Sequence, residues 1–139
     1  MINSLEKSVT PTGIIVFAHG SRIESANEAV RAVARGLART SPAACVEAAF
    51  LELGQPDLET AAAHLVEMGI HRLVIIPYFL TLGIHMERDL PRIAERISIT
   101  HNGLEIRIAP PLDGHPALLQ ILEDRARETL HSLEPDPLR

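Results

Sequence analysis

The chain has 139 residues, 46% of them hydrophobic, and a formal net charge of −5, which is typical of one globular domain with its own core. With 3% aromatic residues, no tryptophan and no basic run, it lacks the stacking platforms and the positive surface with which proteins bind nucleic acids or anionic membranes. The single cysteine cannot form an internal disulfide, no segment approaches the roughly 20 apolar residues of a membrane span, and no signal peptide opens the chain, so we expect a cytoplasmic protein.

Four apolar segments with strand character alternate with four segments of helical periodicity. The predicted strands are 13–18, 44–50, 72–78 and 104–109, and the predicted helices are 24–39, 56–68, 87–99 and 116–132. The third strand is the most apolar, which indicates a central position, and the alternation in the fourth indicates an edge. This order predicts an α/β fold with an open, mostly parallel four-stranded sheet and helices on both faces. We expect one domain over 12–133, between tails at 1–11 and 134–139.

Local signals predict where the helices begin. Ser25 followed three residues later by Glu28 indicates a capping box for the first helix. Pro56 suits the first position of the second helix. Asp89 is expected to cap the third helix ahead of Pro91.

The periodicity of the same segments predicts which helical faces are buried. In the first helix these residues are Ala26, Ala29, Val30, Val33, Ala34 and Leu37. In the third they are Leu90, Ile93, Ala94 and Ile97, and in the fourth Leu118, Leu119, Leu122 and Ala126.

Three of the seven histidines, His19, His85 and His115, lie in segments that follow predicted strands. Ligands of open α/β sheets bind at the carboxyl ends of the strands, and imidazoles gathered there suggest metal or proton chemistry. Two simpler interpretations stay open. His19 can be a structural residue of a strand-to-helix turn, and His115 can cap the fourth helix or pack under its loop.

The loops after the strands carry further candidate residues. In the segment His19-Gly20-Ser21-Arg22, the guanidinium can bind a carboxylate or a phosphate. Glu52, just past the second strand, can accept a proton or orient an imidazole, or it can be a solvated loop residue. The long segment 77–91 is apolar, which favours a wall against a flat ligand or a subunit interface.

Several common chemistries lack their sequence signals. There is no G-x-x-x-x-G-K-[ST] loop, no G-x-G-x-x-G after the first strand and no G-x-S-x-G elbow. ATP hydrolysis, nicotinamide chemistry and esterase activity are therefore not expected.

Taken in order, these loops resemble the small sirohydrochlorin chelatases, which place cobalt or iron into a tetrapyrrole. The matching segments are His19-Gly20-Ser21-Arg22, Ala49-Phe50-Leu51-Glu52 with Pro56, Pro77-Tyr78-Phe79-Leu80, Gly83-Ile84-His85, Asp89-Leu90-Pro91, Pro111-Leu112 and His115-Pro116. The resemblance implies a chelatase-type fold and ATP-independent insertion of a divalent metal (cobalt, iron or nickel), with no cofactor beyond that substrate. It also implies that His19 and His85 bind the metal. In the fourth loop, Asp113-Gly114 stands where family members more often carry one glycine after the leucine, so the implication does not extend to His115.

The resemblance also implies an assembly and a set of roles. The chain has about half the length of two-domain chelatases, so we expect a homodimer whose facing edges form the cleft. His19, His85 or Glu52 would accept the pyrrole protons. The residues expected to bind the tetrapyrrole are Ser21, Arg22, Phe79, Leu80, Leu82, Ile84 and Arg88. A carrier of metal or tetrapyrrole, a phosphoryl-transfer enzyme and an interaction module remain alternatives.

Overall fold

Strands and helices alternate along the chain as predicted, in a computed structural model that describes residues 11–43, 45–133, 135 and 138. The elements are β1 (Thr12–Ala18), α1 (Glu24–Thr40), β2 (Cys45–Phe50), α2 (Leu58–Glu67), β3 (Arg72–Pro77), α3 (Gly83–Thr100), β4 (Glu105–Ile108) and α4 (Pro116–Ser132). Residue 44 and most of the two predicted tails lie outside the described residues. None of the helices within those ranges is long and apolar enough to cross a membrane.

The four strands are all parallel and lie in the order β2-β1-β3-β4. The predicted parallel sheet is therefore confirmed, with β3 inside and β4 at an edge. Because the strands are parallel, the loops that follow them all emerge where the carboxyl ends of the strands lie, which we call the carboxyl edge of the sheet. The segments with His19, Glu52, His85 and His115 all follow strands at that edge.

Helices α2 and α3 cover one face of the sheet and α1 covers part of the other. The larger core lies under α2 and α3 and contains Ile15, Phe17, Leu65, Ile75 and Leu90, all fully buried. A smaller core lies between α1 and the first two strands.

Helix α1 buries a narrower stripe than its periodicity predicts. Val30 and Ala34 are buried and Leu37 packs beside them, but Ala26, Ala29 and Val33 are exposed. The helix lies over β1 and β2 only, so a single line of its side chains meets the sheet.

The predicted capping box of α1 is wrong. Ile23 is the N-cap and makes no side-chain hydrogen bond to the helix. The carboxylate of Glu28 instead binds the guanidinium groups of Arg31 and Arg35, so it is not available to the helix terminus.

Helices α2 and α3 begin at other residues than those predicted. Pro56 precedes the cap of α2, which is Asp57. Helix α3 starts at Gly83 and runs through Pro91, so Asp89 lies inside the helix and is not its cap. Proline removes one backbone hydrogen bond, but burial of Leu90 on one side of it and of Ala94 and Ile97 on the other holds the helix in place.

Helix α4 differs most from expectation, because none of its side chains is buried. Leu119 and Leu122, predicted to face inward, are 64% and 66% exposed. Leu118 is half-buried and Ala126 is exposed, and no residue of α4 belongs to either core. The described residues thus leave the apolar face of this amphipathic helix uncovered.

The N-cap of α2 provides a test of the local fold. Asp57 Oδ1 accepts a hydrogen bond from the Thr60 backbone N–H at 2.8 Å, and hydrogen bonding to Thr60 lowers the pKa of this carboxyl. We expect Asp57→Ala to reduce the free energy of unfolding by about 1 kcal/mol at neutral pH, measured by urea denaturation. A depressed folded-state pKa adds stability above the unfolded-state pKa that is lost as the pH falls through the folded-state pKa. The difference between wild type and variant should therefore shrink in acid.

The matched control is Glu67→Ala, which removes an exposed carboxylate at the other end of the same helix. It should leave the urea midpoint nearly unchanged. Equal losses in the two variants would show that the cap contributes nothing specific.

Candidate active site

His19 and Glu52 meet at the carboxyl edge of the sheet. Each follows its strand by one or two residues, and because β1 and β2 are paired neighbours the two loops lie side by side. His19 Nε2 is 3.2 Å from Glu52 Oε1, and the side chains are 57% and 58% exposed. A carboxylate that holds one imidazole nitrogen orients the ring and leaves the other nitrogen to bind a cation. The pair is open to solvent and hence to a ligand.

Gly20 allows these two loops to approach. The backbone N–H groups of Leu51 and Glu52 donate to the carbonyls of Ala18 and His19 at 2.9 and 3.0 Å, which extends the pairing of β1 and β2 beyond the strands. Gly20 has φ of +94°, and a Cβ atom there would lie 1.7 Å from the Glu52 carbonyl oxygen. Only glycine fits, because the position combines a left-handed conformation with backbone contact.

Asn27 ties the same two loops together from below. It is the buried polar residue of the described chain, 1% exposed. Its Oδ1 accepts from the Ser21 N–H at 2.9 Å, and its Nδ2 donates to the carbonyls of Ser21 and Leu53 at 2.8 and 3.0 Å. The side chain thus supplies hydrogen-bond partners to backbone groups of both loops that would otherwise lack them.

Sequence analysis missed Asn27, since an asparagine in a helix suggests a polar surface. A signal was available, because Asn27 continues the line of Val30 and Ala34 at helical spacing. Ser21, predicted to bind substrate, is a structural part of this turn, and its Oγ accepts from the Ile23 N–H at 3.0 Å.

His85 is exposed in the first turn of α3, not in a loop as its apolar surroundings suggested. Arg88 Nη2 lies 3.5 Å from His85 Nδ1. A guanidinium carries only donors, so Nδ1 accepts in this weak contact. Arg88 is also 3.7 Å from Asp89.

The candidate ligands do not form one closed site. Within 11–43 and 45–133, no three His, Cys, Asp or Glu side chains are close enough to hold a single ion. The fold brings His19 and Glu52 together and sets His85 beside Arg88 on a separate element. Arg22 is exposed and makes no ion pair with any described residue.

The predicted apolar wall separates into two layers. Leu80 and Ile84 are 65% and 82% exposed. Phe79 and Leu82 instead pack against the core, and the Phe79 ring lies 6.0 Å from that of Phe17. The two exposed residues can contact a ligand, whereas the other two support the segment from beneath.

His115 acts as a helix cap. It is the N-cap of α4, and its Nδ1 accepts from the Ala117 N–H at 3.0 Å. Of the two interpretations that the sequence left open, the structure therefore shows the capping one.

Comparison with known proteins identifies the family to which this chain is similar. The CbiX family model matches residues 13–129. A sirohydrochlorin cobaltochelatase of Sulfolobus acidocaldarius is 33% identical over 85% of this chain and 92% of its own length. A chloroplastic sirohydrochlorin ferrochelatase of Arabidopsis thaliana is 31% identical over 89% of this chain but only 55% of its own length.

A solved structure extends the likeness to three dimensions. The crystal structure of a putative cobalamin biosynthesis CbiX protein from Marinobacter aquaeolei superposes with a TM-score of 0.76 at 30% identity, covering 88% of this chain and 99% of that one. The residues matched by the family model include the four strands and the segments with His19, Glu52 and His85. The chain therefore belongs to the CbiX family.

Proposed function

We propose that the protein inserts a divalent metal, cobalt or iron, into sirohydrochlorin without ATP. The observation that carries the proposal is the exposed His19–Glu52 pair at the carboxyl edge, in a chain that aligns with almost the full length of a sirohydrochlorin cobaltochelatase. Neutral imidazole suits cobalt(II), iron(II) and nickel(II), so ligand type alone does not select among them.

The reaction exchanges two pyrrole N–H protons for one metal ion. His19 and His85 hold the incoming metal on one face of the macrocycle, where the ring nitrogens complete its coordination. Glu52, 3.2 Å from His19, accepts a proton directly or through the imidazole. A second proton leaves through the other imidazole or through solvent, to which both histidines are open.

Binding of the macrocycle uses charge and apolar contact. Sirohydrochlorin carries many carboxylates, and the exposed guanidinium of Arg22 suits one of them. Leu80 and Ile84 lie against the flat ring. Arg88, next to His85, helps to orient that imidazole.

Substitution of the two histidines tests the metal role. His19→Ala and His85→Ala should each slow insertion on the order of 100-fold. The measurement is anaerobic incubation with sirohydrochlorin and cobalt(II), iron(II) or nickel(II) in turn, followed by visible absorbance against a reaction without protein. His71→Ala is the matched control, because His71 is exposed at the opposite edge of the sheet. Insertion by His85→Ala at the wild-type rate would contradict the assignment, and tetrapyrrole binding without acceleration would identify a carrier.

Substitution of Glu52 separates proton transfer from metal binding. Glu52→Gln keeps the size of the side chain but cannot take a proton at neutral pH. We expect the insertion rate to fall on the order of 100-fold while the affinity for cobalt(II) alone changes much less. Glu67→Gln, distant on α2, should match wild type. A Glu52→Gln variant with the wild-type rate across the pH range would exclude this glutamate as the base.

We also propose that the working unit is a homodimer. The Arabidopsis ferrochelatase is matched over 55% of its length, so a second copy of this chain would supply what the remainder supplies there. The exposed apolar face of α4 supports the same conclusion, since an isolated helix of this length is marginal in water. Val74 and Ile76 offer a complementary surface, because they are half-buried on the sheet face that α1 leaves uncovered.

The dimer is tested by charging the apolar face of α4. A Leu119→Glu and Leu122→Glu double variant should elute with the mass of one chain in size-exclusion chromatography with light scattering, and should lose insertion activity. Gln120→Glu adds one negative charge away from this apolar face and should leave the dimer intact. A wild-type protein that is monomeric at micromolar concentration and fully active would refute the dimer.

A further inference from the structure

We propose that Arg92 is the residue of α3 that binds a carboxylate arm of the tetrapyrrole. The assignment rests on the proposed function and concerns how the same site recognises its substrate. Arg88 was the arginine of this helix expected to bind the tetrapyrrole, but it lies 3.5 Å from His85 and 3.7 Å from Asp89. Arg92 lies one turn further along the helix and is exposed.

The pairing of the arginines singles out Arg92. In the described part of the chain three arginines make no ion pair with a carboxylate, namely Arg22, Arg39 and Arg92. Arg39 occupies the last turn of α1, where the helix dipole favours a cation. Arg22 follows His19 by three residues. Each of the two histidines proposed to bind the metal therefore has one arginine without an ion pair nearby, Arg22 in the loop of His19 and Arg92 in the helix of His85.

Helical geometry puts Arg92 on the side of His85. The two residues are seven apart in α3, which is nearly two turns, so their directions agree within about 20° and they lie about 10 Å apart along the axis. Arg96 continues the same side of the helix by one more turn. An arginine in this position can reach an arm at the rim of a ring whose metal is held by His85.

A small cavity shows which residues of α3 lie beside the carboxyl ends of the strands. It has a volume of about 190 Å³, and Ile93 and Arg96 line it together with Phe17 and Leu51. Phe17 and Leu51 lie at the carboxyl ends of β1 and β2, so α3 is level with the strand ends at residues 93–96. The earlier turns of the helix extend past the sheet edge. Arg92 directly precedes Ile93, so the fold places it near the carboxyl edge that carries His19 and Glu52.

The charges along α3 make Arg92 the available one. Arg96 Nη2 is bound by Glu59 Oε1 at 2.8 Å, and Arg88 is engaged as described. Like charges four residues apart on a helix repel, and Arg92 has an arginine four residues away on either side. A planar guanidinium in such surroundings is suited to bidentate binding of a carboxylate. The net charge of −5 makes such local cations necessary if the protein is to bind a polyanion.

Equilibrium binding of metal-free sirohydrochlorin, followed by fluorescence quenching, tests the assignment. Arg92→Ala should raise the Kd about 10- to 100-fold, as expected for loss of a charge-assisted hydrogen bond, and Arg92→Lys should restore part of the affinity. The Kd for cobalt(II) alone should not change. Arg39→Ala is the matched control, since it removes the other unpaired helical arginine.

The octamethyl ester of sirohydrochlorin distinguishes a carboxylate contact from a structural effect. It keeps the ring and removes the negative charges, so wild type and Arg92→Ala should bind it equally. An Arg92→Ala variant within twofold of wild type on the free acid, or one weakened equally on acid and ester, would overturn the assignment. Wild-type protein that binds neither compound would overturn the proposed function together with this inference.

Discussion

The close contact between the loops after β1 and β2 is the constraint on which the candidate site depends. The Glu52 carbonyl occupies the space where a side chain of residue 20 would begin, and Asn27 binds both loops with its amide. These two features hold His19 and Glu52 at 3.2 Å although neither side chain is buried. Exposed ion pairs contribute little stability. The backbone and the buried amide therefore set the geometry, and the charges remain available for chemistry.

The same edge combines a rigid part with an open part. The His19–Glu52 pair sits on loops tied to inner strand β1, whereas His85 stands on α3, anchored by the buried Leu90. No described set of three ligands closes around an ion.

Helix α4 is the element whose packing the described residues leave incomplete. Its apolar stripe predicts burial, yet the described residues do not cover it. The periodicity identified an apolar surface, and only the tertiary structure showed that no described residue buries it. His115 also differs from expectation. Its place after a strand suggested a metal-binding residue, whereas its Nδ1 accepts a hydrogen bond that caps this helix.

The sequence by itself determined the order of the elements, the parallel sheet, the inner position of β3 and the edge that carries His19, Glu52 and His85, because hydrophobic periodicity is a local signal and the alternation of strands with helices implies parallel pairing. The start of α3 and the true cap of α2 were not predicted, since burial of Leu90 and the hydrogen bond that Asp57 Oδ1 accepts from the Thr60 N–H outweighed the proline signals. The partners of the charged groups were also decided by tertiary structure. Asn27 is buried where it binds the carbonyl of Leu53, and Arg92 makes no ion pair with a described residue. Such outcomes depend on how separate elements pack, which is settled only when the chain has folded.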